Sequence, residues 1–389
     1  MRVLVVHNAY GKPSGEEVVV DETRRLLLAE GHQVDEWRRT SAEIEGMPLG
    51  ELRAFFSGIY SWSARCAFAD ALRRKRPDLV HIHNLYPLIS PSVIDAACAA
   101  GLPTVMTLHN YRMLCPSGLL LSRGELCHRC VEGTELSCVL RNCERSLPKS
   151  LGYAARNWFA RKRGTFGKVT RFIALTEFQR RQLSACLPKD RIRVLPNPVA
   201  TPVEAAGPAP NGYVGFAGRL SPEKGVDTLI EAARCTPDLE FRFAGDWARM
   251  QCSVARAPAN CRFLGFLGKA ELAAFYAGAR VMVLPSIWYE ALPISLLEAM
   301  AHGKAVLCSH IGALPDIVEP GVAGFTFEAR SAKSLSDALR WLWPQQGLLD
   351  LAGTRARAKV QRAYSDRHYG MRLLEVYREA MACQAGRDR

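Results

Sequence analysis

Short apolar runs alternate along the chain with segments whose apolar positions recur at the spacing of a helix. In the first half, residues 17–30 show this helical spacing and end at Gly31, a residue type that favours the end of a helix. The apolar runs predict strands at residues 3–7, 79–83, 104–109, 172–176 and 192–195. Alternating strands and helices are typical of a parallel sheet covered on both faces, so the sequence predicts a Rossmann-like domain over residues 1–196.

A second series of the same kind begins at residue 213, and we expect a second Rossmann-like domain over residues 213–363. Between the two series, residues 197–212 are rich in proline and glycine and form the predicted linker. Residues 364–389 predict an amphipathic helix, and periodicity leaves open whether this helix crosses back to the first domain. The strands of the second series are predicted at residues 213–217, 241–244, 261–263, 281–284, 305–308 and 324–327.

The composition agrees with a folded protein of two domains. The chain has 389 residues, of which 48% are hydrophobic, and this length exceeds a single core of ordinary size. No run of about 18 uncharged apolar residues predicts a membrane-spanning helix, and the N-terminus resembles a first strand rather than an export signal. We therefore expect a cytoplasmic protein.

Positive charge is concentrated in the first half of the chain. The net charge is +13, and residues 1–200 contribute +10 of it. Residues 149–171 contain seven basic residues and no acidic one, with Leu151, Trp158 and other large apolar residues between them. This pattern suits the inner, anionic face of a membrane, to which the protein would bind peripherally. It equally suits a helix that packs its aromatic residues on the core, and both interpretations stay open.

Five of the thirteen cysteines lie within a predicted insert at residues 112–147. Cys127 and Cys130 have the two-residue spacing that lets two thiolates reach one metal ion. A loop of this length with little apolar content needs a crosslink to be ordered. The sequence therefore predicts a structural zinc site, with unligated thiols and a ligand role for Cys138 as open alternatives. The predicted ligands are Cys115, Cys127, Cys130 and Cys143.

Two glutamates flank the start of a predicted helix in the second domain. Glu290 follows a buried strand predicted at residues 280–286, and Glu298 lies eight residues further on, within the helix. Open parallel sheets bind ligands at this edge, where the strands end. Carboxylates accept hydrogen bonds from sugar and ribose hydroxyls, and the unpaired amides of a first helical turn face phosphates. The turn Ala291, Leu292 and Pro293 leads into this helix, with Pro293 as the first helical residue.

A second candidate feature is the turn at residues 218–225, which joins a predicted strand to a predicted helix. Gly218 allows the backbone of the turn conformations that other residues rarely adopt, and Arg219 and Lys224 could neutralise the charge of a diphosphate. A basic surface turn without a ligand is an open alternative.

Three segments together resemble glycosyltransferase family four, whose members are retaining enzymes with the GT-B fold. They are Gly-Arg-Leu-Ser-Pro-Glu-Lys-Gly at 218–225, Glu-Ala-Leu-Pro-Ile-Ser-Leu-Leu-Glu at 290–298, and Gly-Ala-Leu-Pro-Asp-Ile-Val-Glu-Pro-Gly at 312–321. The resemblance covers nearly the whole chain, and the cysteines resemble those of a subset with a cysteine-bearing insert. It implies an α/β protein with two Rossmann-like domains that face each other across a cleft.

The resemblance also implies roles for individual residues. Arg219 and Lys224 would bind the donor diphosphate, Glu290 the sugar hydroxyls and Glu298 the ribose. His109 matches a histidine beside the donor sugar, so the implied catalytic residues are His109, Arg219, Lys224 and Glu290. Donor binding would further involve Gly218, the amides of residues 291–293, and Gly15. At that last position the family has paired glycines, whereas Ser14 precedes Gly15 here.

The resemblance implies a hexosyltransferase that works with retention and needs no cofactor or divalent ion for catalysis. It would move a sugar from a nucleotide-sugar to a glycan or lipid-linked saccharide, as in the synthesis of lipopolysaccharide or another surface polysaccharide. A nucleotide-sugar 2-epimerase has the same architecture and is the first alternative. The net charge also admits a nucleic-acid binding protein, although no motif for reading RNA or DNA is present and we expect no nucleic-acid partner.

Overall fold

The computed structural model describes residues 1–11, 15–47, 50–202, 209 and 212–387 and consists of two compact units. The first unit comprises Met1–Ser122, Cys127–Pro198 and Asp366–Arg389, and the second comprises Arg123–Leu126 and Val199–Ser365. Of the predicted linker 197–212, residues 203–208, 210 and 211 lie outside the described residues, as does Ser14.

The first unit is built from short strands and the helices that connect them. Its strands are β1 (Arg2–Ala9), β2 (Gln33–Thr40), β3 (Leu79–Ile82), β4 (Thr104–Leu108), β5 (Leu121–Ser122), β7 (Arg171–Ala174) and β8 (Ile192–Val194). The short strand β6 (Glu125–Leu126) lies between β5 and β7 in the chain and is assigned to the second unit. Its helices are α1 (Gly15–Ala29), α2 (Gly50–Ile59), α3 (Trp62–Lys75), α4 (Ser92–Ala99), α5 (Arg129–Glu132), α6 (Leu136–Leu140), α7 (Leu147–Lys162) and α8 (Glu177–Leu183).

Six of these strands form one parallel sheet in the order β2-β1-β3-β4-β7-β8. β1 pairs with β2 from Arg2 opposite Gln33 onwards, and with β3 from Val3 opposite Leu79. The inner strands β3 and β4 are buried along their whole length, as the apolar runs predict. The sequence did not predict β2, because this edge strand is largely charged and no residue in it is fully buried.

The second unit repeats this plan. Its strands are β9 (Tyr213–Ala217), β10 (Phe241–Ala244), β11 (Cys261–Gly265), β12 (Ala279–Leu284), β13 (Ala305–Ser309) and β14 (Phe325–Phe327). Its helices are α9 (Val226–Cys235), α10 (Gln251–Ala255), α11 (Lys269–Gly278), α12 (Ile294–Ala301), α13 (Leu314–Val318), α14 (Ala332–Leu342) and α15 (Gln346–Ala363). All six predicted strands of this half are present, with ends that differ by no more than two residues.

The second sheet is also parallel, in the order β11-β10-β9-β12-β13-β14. Its core is apolar on both faces, with Phe216, Phe241 and Phe243 fully buried in the sheet. On one face α14 contributes Leu335, Leu339 and Leu342, whose spacing places them on one side of the helix. The two sheets together confirm the predicted α/β class with two Rossmann-like domains.

The last helix, α16 (Asp366–Arg387), packs on the first unit. Tyr369, Leu373 and Tyr377 belong to the buried core of that unit. The Tyr377 hydroxyl lies 2.7 Å from His81 Nδ1, which ties the helix to strand β3. The chain therefore returns to its first unit after it has completed the second.

Candidate functional site

The strand order of the second sheet identifies where a ligand can bind. Counted along this unit, the order is 3-2-1-4-5-6, so the direction of winding reverses between β9 and β12. The loops that leave these two adjacent strands diverge, and a crevice opens at their carboxyl ends. These loops carry residues 218–225 and 285–293, which are the two segments that the sequence singled out.

Lys224 and Glu290 meet at this crevice. Lys224 Nζ lies 2.8 Å from Glu290 Oε1, and the side chain of Glu290 is almost completely buried. The same oxygen accepts hydrogen bonds from Ser286 Oγ at 2.5 Å and from Trp288 Nε1 at 2.9 Å. Three donors on one oxygen fix the rotamer of Glu290, and the ion pair offsets part of the cost of its burial. The sequence assigned these two residues to different parts of the donor, and the structure pairs them directly.

Glycine at position 225 permits this pairing. Gly225 has φ +70°, and a Cβ atom there would come within 1.8 Å of the Pro285 carbonyl oxygen. The two loops are also joined by a hydrogen bond from Ile287 N to Glu223 O, 3.0 Å long. The absence of a side chain at Gly225 lets the loop after β9 lie directly on the loop after β12.

Arg219 differs from Lys224 in exposure. Its side chain is 53% exposed and its guanidinium bonds to Glu223 Oε1 at 2.8 Å. Gly218, just before it, has φ +139° and donates its amide to Ala244 O. A Cβ atom on Gly245 would meet Gly218 O at 1.9 Å, so a second pair of glycine-bearing loops is closely packed here. Arg219 is thus held at its backbone, and its charged end faces solvent.

The helix that starts after Glu290 is shorter by one residue than the sequence predicts. α12 begins at Ile294, and Pro293 is the residue before the first turn rather than its first member. No side chain caps this first turn in the described structure. Ala291 and Leu292 are buried and hold the turn in place. The amides of the first turn are therefore available to an anion.

Glu298 lies on α12 and contacts a different helix. Its Oε2 accepts a hydrogen bond of 2.7 Å from the hydroxyl of Tyr276, on α11. Burial raises the pKa of Glu298, and the Tyr276 hydrogen bond partly opposes that shift. Lys304, fully buried, donates Nζ to Ala277 O and so holds the end of α11. Glu298 is a positioned carboxylate, and its contact is Tyr276 rather than the Lys224 pair.

The first sheet has its own reversal point, between β1 and β3, and histidines gather there. His83 Nδ1 lies 3.0 Å from His109 Nε2, and the two rings stack. The rings of His81 and His83 are 4.2 Å apart. Burial lowers the pKa of His109, and of His83 to well below its usual range, so both rings are neutral near pH 7. His109 therefore offers a hydrogen bond to a ligand rather than a positive charge.

Gly15 is an exposed residue at the start of α1, in this first unit. Nearby, Glu17 accepts a hydrogen bond from the Tyr10 amide and holds the entry to the helix. The Gly15 prediction, which concerned backbone contact with a phosphate, stays a prediction.

Sequence reasoning missed three residues around the histidines. His7 ends the apolar run of β1, is 1% exposed, and has no partner for either ring nitrogen among the described residues. Arg112 belongs to the insert and is partly buried, and Arg156 belongs to α7 and is 4% exposed. The signal for His7 was its position at a strand end, which it shares with His83 and His109. The arginines gave no such signal, because their burial depends on tertiary contacts.

The cysteines of the insert lie near one another. Cys130 is buried, and its pKa is raised to about 12 by that burial and by the neighbouring thiols of Cys115, Cys143 and Cys127. The thiol of Cys138 donates a hydrogen bond to Cys143, which lowers the pKa of Cys143. Within the described residues, however, no three cysteine, histidine or acidic side chains are arranged to hold a metal ion. The proposed tetrahedron of Cys115, Cys127, Cys130 and Cys143 is not formed here.

The zinc site therefore stays a prediction that elemental analysis can test. If these thiols bind zinc, protein purified without chelator will contain one equivalent per chain, since a tetrahedral site takes a single ion. Cys127→Ser will lose that metal, whereas Cys66→Ser will keep it, because Cys66 is exposed and outside the insert. Metal-free wild-type protein would remove the prediction.

Comparison with known protein families accounts for most of the chain. A model described as "Glycosyltransferase Family 4" matches residues 13–202, and one described as "Glycosyl transferases group 1" matches residues 205–359. The first match covers most of the first unit, and the second covers nearly all of the second.

Individual relatives agree. The chain is 30% identical over 305 residues to a 2-deoxystreptamine N-acetyl-D-glucosaminyltransferase of Streptomyces fradiae. The matched region covers 70% of this chain and 65% of that protein. It is 30% identical over 185 residues to a phosphatidyl-myo-inositol mannosyltransferase of Mycobacterium leprae, over 44% of this chain and 49% of that protein. The chain spans about half the length, or less, of the curated relatives that it matches first.

Solved structures share the fold along nearly the whole chain. A sucrose-phosphate synthase from Thermosynechococcus elongatus superposes with a TM-score of 0.73 at 17% identity, over 98% of this chain and 99% of that one. HepE of Anabaena, solved in complex with UDP, gives a TM-score of 0.67 at 17% identity, over 97% and 99%. These likenesses confirm the GT-B fold that the sequence predicts.

Proposed function

The chain belongs to glycosyltransferase family four, and from this premise we propose that it transfers a sugar from a nucleotide-diphosphate-sugar with retention and without a catalytic metal ion. The acceptor is a glycan or a lipid-linked saccharide in the synthesis of a cell-surface polysaccharide. A nucleotide-sugar donor is supported by relatives solved with UDP and with UDP-glucose. Membership of the cysteine-insert subset is part of the proposal.

One observation carries this proposal. At the reversal point of the second sheet, the structure collects the chemical groups that a nucleotide-sugar needs. The Lys224–Glu290 pair, the exposed guanidinium of Arg219 and the uncapped first turn of α12 follow adjacent strands. Cations and amides suit a diphosphate, and a fixed carboxylate suits sugar hydroxyls.

The reaction that fits these groups is a displacement at the anomeric carbon of the donor. The acceptor hydroxyl forms the new glycosidic bond on the face from which the diphosphate leaves, and the bond between that carbon and the diphosphate oxygen breaks. The departing oxygen takes the electron pair and then the acceptor proton. Arg219 and Lys224 stabilise the charge that develops on the diphosphate, and Glu290 orients the sugar, while the sugar contact that the resemblance implies for His109 stays a prediction.

A thermal-shift panel of UDP-, GDP-, ADP- and TDP-sugars tests whether the protein binds a nucleotide-sugar donor. We expect one base to raise the melting temperature, because a ligand at 100 times its Kd stabilises the folded state by about 2.7 kcal/mol. In domains of this size that corresponds to a rise of several degrees, at about 2–4 °C per kcal/mol. No response to any of the four donors would contradict the proposed function.

Variants of the second unit localise the nucleotide in the same assay. Glu298→Ala is expected to lose most of the shift, since the proposed ribose contact is gone. Glu231→Ala is the matched control, because Glu231 is a half-exposed carboxylate on α9 whose ion-pair partner among the described residues is Arg234 on its own helix. An unchanged shift in Glu298→Ala would move the ribose site elsewhere while leaving the function intact.

The surface of α6 and α7 supports the proposed binding to an anionic membrane. Leu140, Leu147, Leu151 and Trp158 are each more than half exposed, which is costly for so many large apolar side chains on neighbouring helices. Basic residues of the same helix include Lys149 and Lys162. Apolar side chains that enter the headgroup layer, flanked by cations, are typical of peripheral binding. No helix of the described residues is long and apolar enough to cross a membrane.

Liposome flotation tests this surface. The full chain is expected to float with vesicles that contain anionic lipid and to stay behind with neutral ones. Leu151→Gln with Trp158→Gln is expected to abolish flotation. Trp341→Gln, which removes an equally exposed tryptophan from the second unit, should leave it unchanged. Wild-type protein that fails to float would rule out this part of the proposal.

A further inference from the structure

Lys224 and Glu290 are bonded to each other, although the proposed function assigns them to different parts of the donor. The ammonium of Lys224 lies 2.8 Å from Glu290 Oε1. An ammonium has three N–H donors, so Lys224 can contact a diphosphate and Glu290 at the same time. A diphosphate carries more negative charge than one carboxylate and therefore draws part of this attraction away from Glu290. The other contacts of Glu290 then decide whether its carboxylate stays in place.

Trp288 donates a hydrogen bond to the same carboxylate oxygen without carrying charge. Its indole Nε1 lies 2.9 Å from Glu290 Oε1, and the buried Ser286 hydroxyl donates to that oxygen at 2.5 Å. A diphosphate attracts neither neutral group as strongly as it attracts an ammonium. Hydrogen bonds to an ionised acceptor are roughly twice as strong as those between neutral groups. These two bonds therefore hold Glu290 when the contribution of Lys224 falls.

The segment that carries Trp288 is attached to its neighbours on both sides of the backbone. The amide of Ile287 donates to Glu223 O at 3.0 Å, and the carbonyl oxygen of Ile287 accepts from Arg330 at 3.4 Å. Lys224 Nζ lies 5.7 Å from the centre of the Trp288 ring, within the range of a cation–π contact. The half-buried indole thus contacts both members of the ion pair from a fixed backbone.

We propose that Trp288 is a positioning residue, which holds Glu290 in the orientation that the donor sugar needs while Lys224 contacts the diphosphate. This inference rests on the proposed function, because the sugar contact of Glu290 belongs to that proposal. Loss of the indole N–H leaves the groups that face the nucleotide and the diphosphate unchanged, so the affinity for the donor should change little. A displaced carboxylate misaligns the sugar, and misalignment of the reacting carbon lowers kcat.

Trp288→Phe tests the inference, because phenylalanine keeps an aromatic ring and removes the N–H. Turnover is measured with the nucleotide-sugar that raises the melting temperature most in the thermal-shift panel. We expect kcat to fall about tenfold, as for the loss of one hydrogen bond to a charged group. The KM for the donor should change by less than a factor of about three, because binding common to substrate and transition state is retained.

Trp343→Phe is the matched control. Trp343 is a half-buried tryptophan of the same unit and lies against a cation, with the guanidinium of Arg280 at 5.0 Å from its ring centre. In the part of the chain that the structure describes, its indole nitrogen bonds to no carboxylate. We expect this variant to keep the kcat of the wild-type protein, and its melting temperature should fall by about as much as that of Trp288→Phe.

The indole N–H signal of Trp288 gives a second readout that needs no ligand. In the proton–nitrogen NMR spectrum of the isotope-labelled full chain, this signal is assigned by its absence from Trp288→Phe. Glu290→Gln replaces an ionised acceptor with a neutral and weaker one, so the proton signal of the Trp288 indole should move upfield. The signal of the Trp343 indole should keep its position.

If Trp288→Phe does not fold, Ser286→Ala removes the other neutral donor and should show the same fall in kcat at nearly constant KM. The inference is overturned if Trp288→Phe and Trp343→Phe have equal kcat values, if the loss lies entirely in KM, or if Glu290→Gln leaves the Trp288 signal in place. Failure of the proposed function gives a different result, namely a wild-type protein that neither responds to a nucleotide-sugar nor turns one over.

Discussion

Gly225→Ala is expected to lower the stability of the second unit severely and to abolish glycosyl transfer. The new methyl group would stand 1.8 Å from the Pro285 carbonyl oxygen, at φ +70°, so the loop after β9 must move away from the loop after β12. Left-handed backbone in a residue other than glycine costs about 1–2 kcal/mol even without a clash. Displacement of the loop also separates Lys224 from Glu290 and leaves a buried carboxylate without its cation, which costs about 3–5 kcal/mol.

Gly321→Ala separates the two causes. Gly321 has φ +80°, and a Cβ atom there meets nothing within 4 Å. The stability of this variant is therefore lowered only by the left-handed backbone conformation. Its melting temperature should fall by a few degrees with activity retained. The measurement is thermal unfolding together with donor turnover for both variants. Equal losses in the two proteins would show that contact between the loops is not what makes Gly225 necessary.

Arg219→Met is expected to reduce turnover with little change in stability. In its ion pair with Glu223 the guanidinium is 53% exposed and the carboxylate is 10% exposed, and Lys224 still helps to hold the pKa of Glu223 low when Arg219 is removed. If the guanidinium stabilises the charge on the departing diphosphate, its loss should lower kcat by about 10²–10³, as removal of a transition-state donor does elsewhere. The KM for the donor should rise less than kcat falls.

Arg234→Met provides the control for this result. Arg234 is 42% exposed, lies on α9 in the same unit and pairs with a glutamate on its own helix, as Arg219 pairs with a nearby glutamate. The kcat values of the two variants should differ by the full factor of about 10²–10³, while their melting temperatures agree. Wild-type turnover in Arg219→Met would assign the stabilisation of the leaving group to Lys224 and the amides of α12.

Much of the fold could be predicted from local sequence. Inner strands such as β9 and β12 are buried on both faces, so their apolar runs are unbroken and their positions are evident. Edge strand β2 was missed because its charged residues need no burial, and only pairing with β1 makes it a strand. Pro293 was placed one residue too far inside its helix for a similar reason, since proline suits both sides of a helix start.

For the site, the sequence identified residue types, and the structure decided which of them meet. Glu290, Lys224 and Arg219 were recognisable because carboxylate and cations follow predicted strand ends. Nothing in the sequence indicated that Lys224 bonds to Glu290 itself, or that Glu298 bonds to Tyr276. Arg156 was counted as one of seven basic residues, and its burial between two tyrosines could not be anticipated.

The sequence by itself determined the two α/β domains and the edge of each sheet where we expect ligands to bind, because hydrophobic periodicity and strand ends are local properties of the chain. Only the tertiary structure decided that Gly225 brings two loops into contact, that α16 packs on the first unit, and that Arg156 is buried between Tyr86 and Tyr153. These features depend on contacts between residues far apart in sequence. Such contacts are set by the packing of whole elements and leave no periodic pattern along the chain.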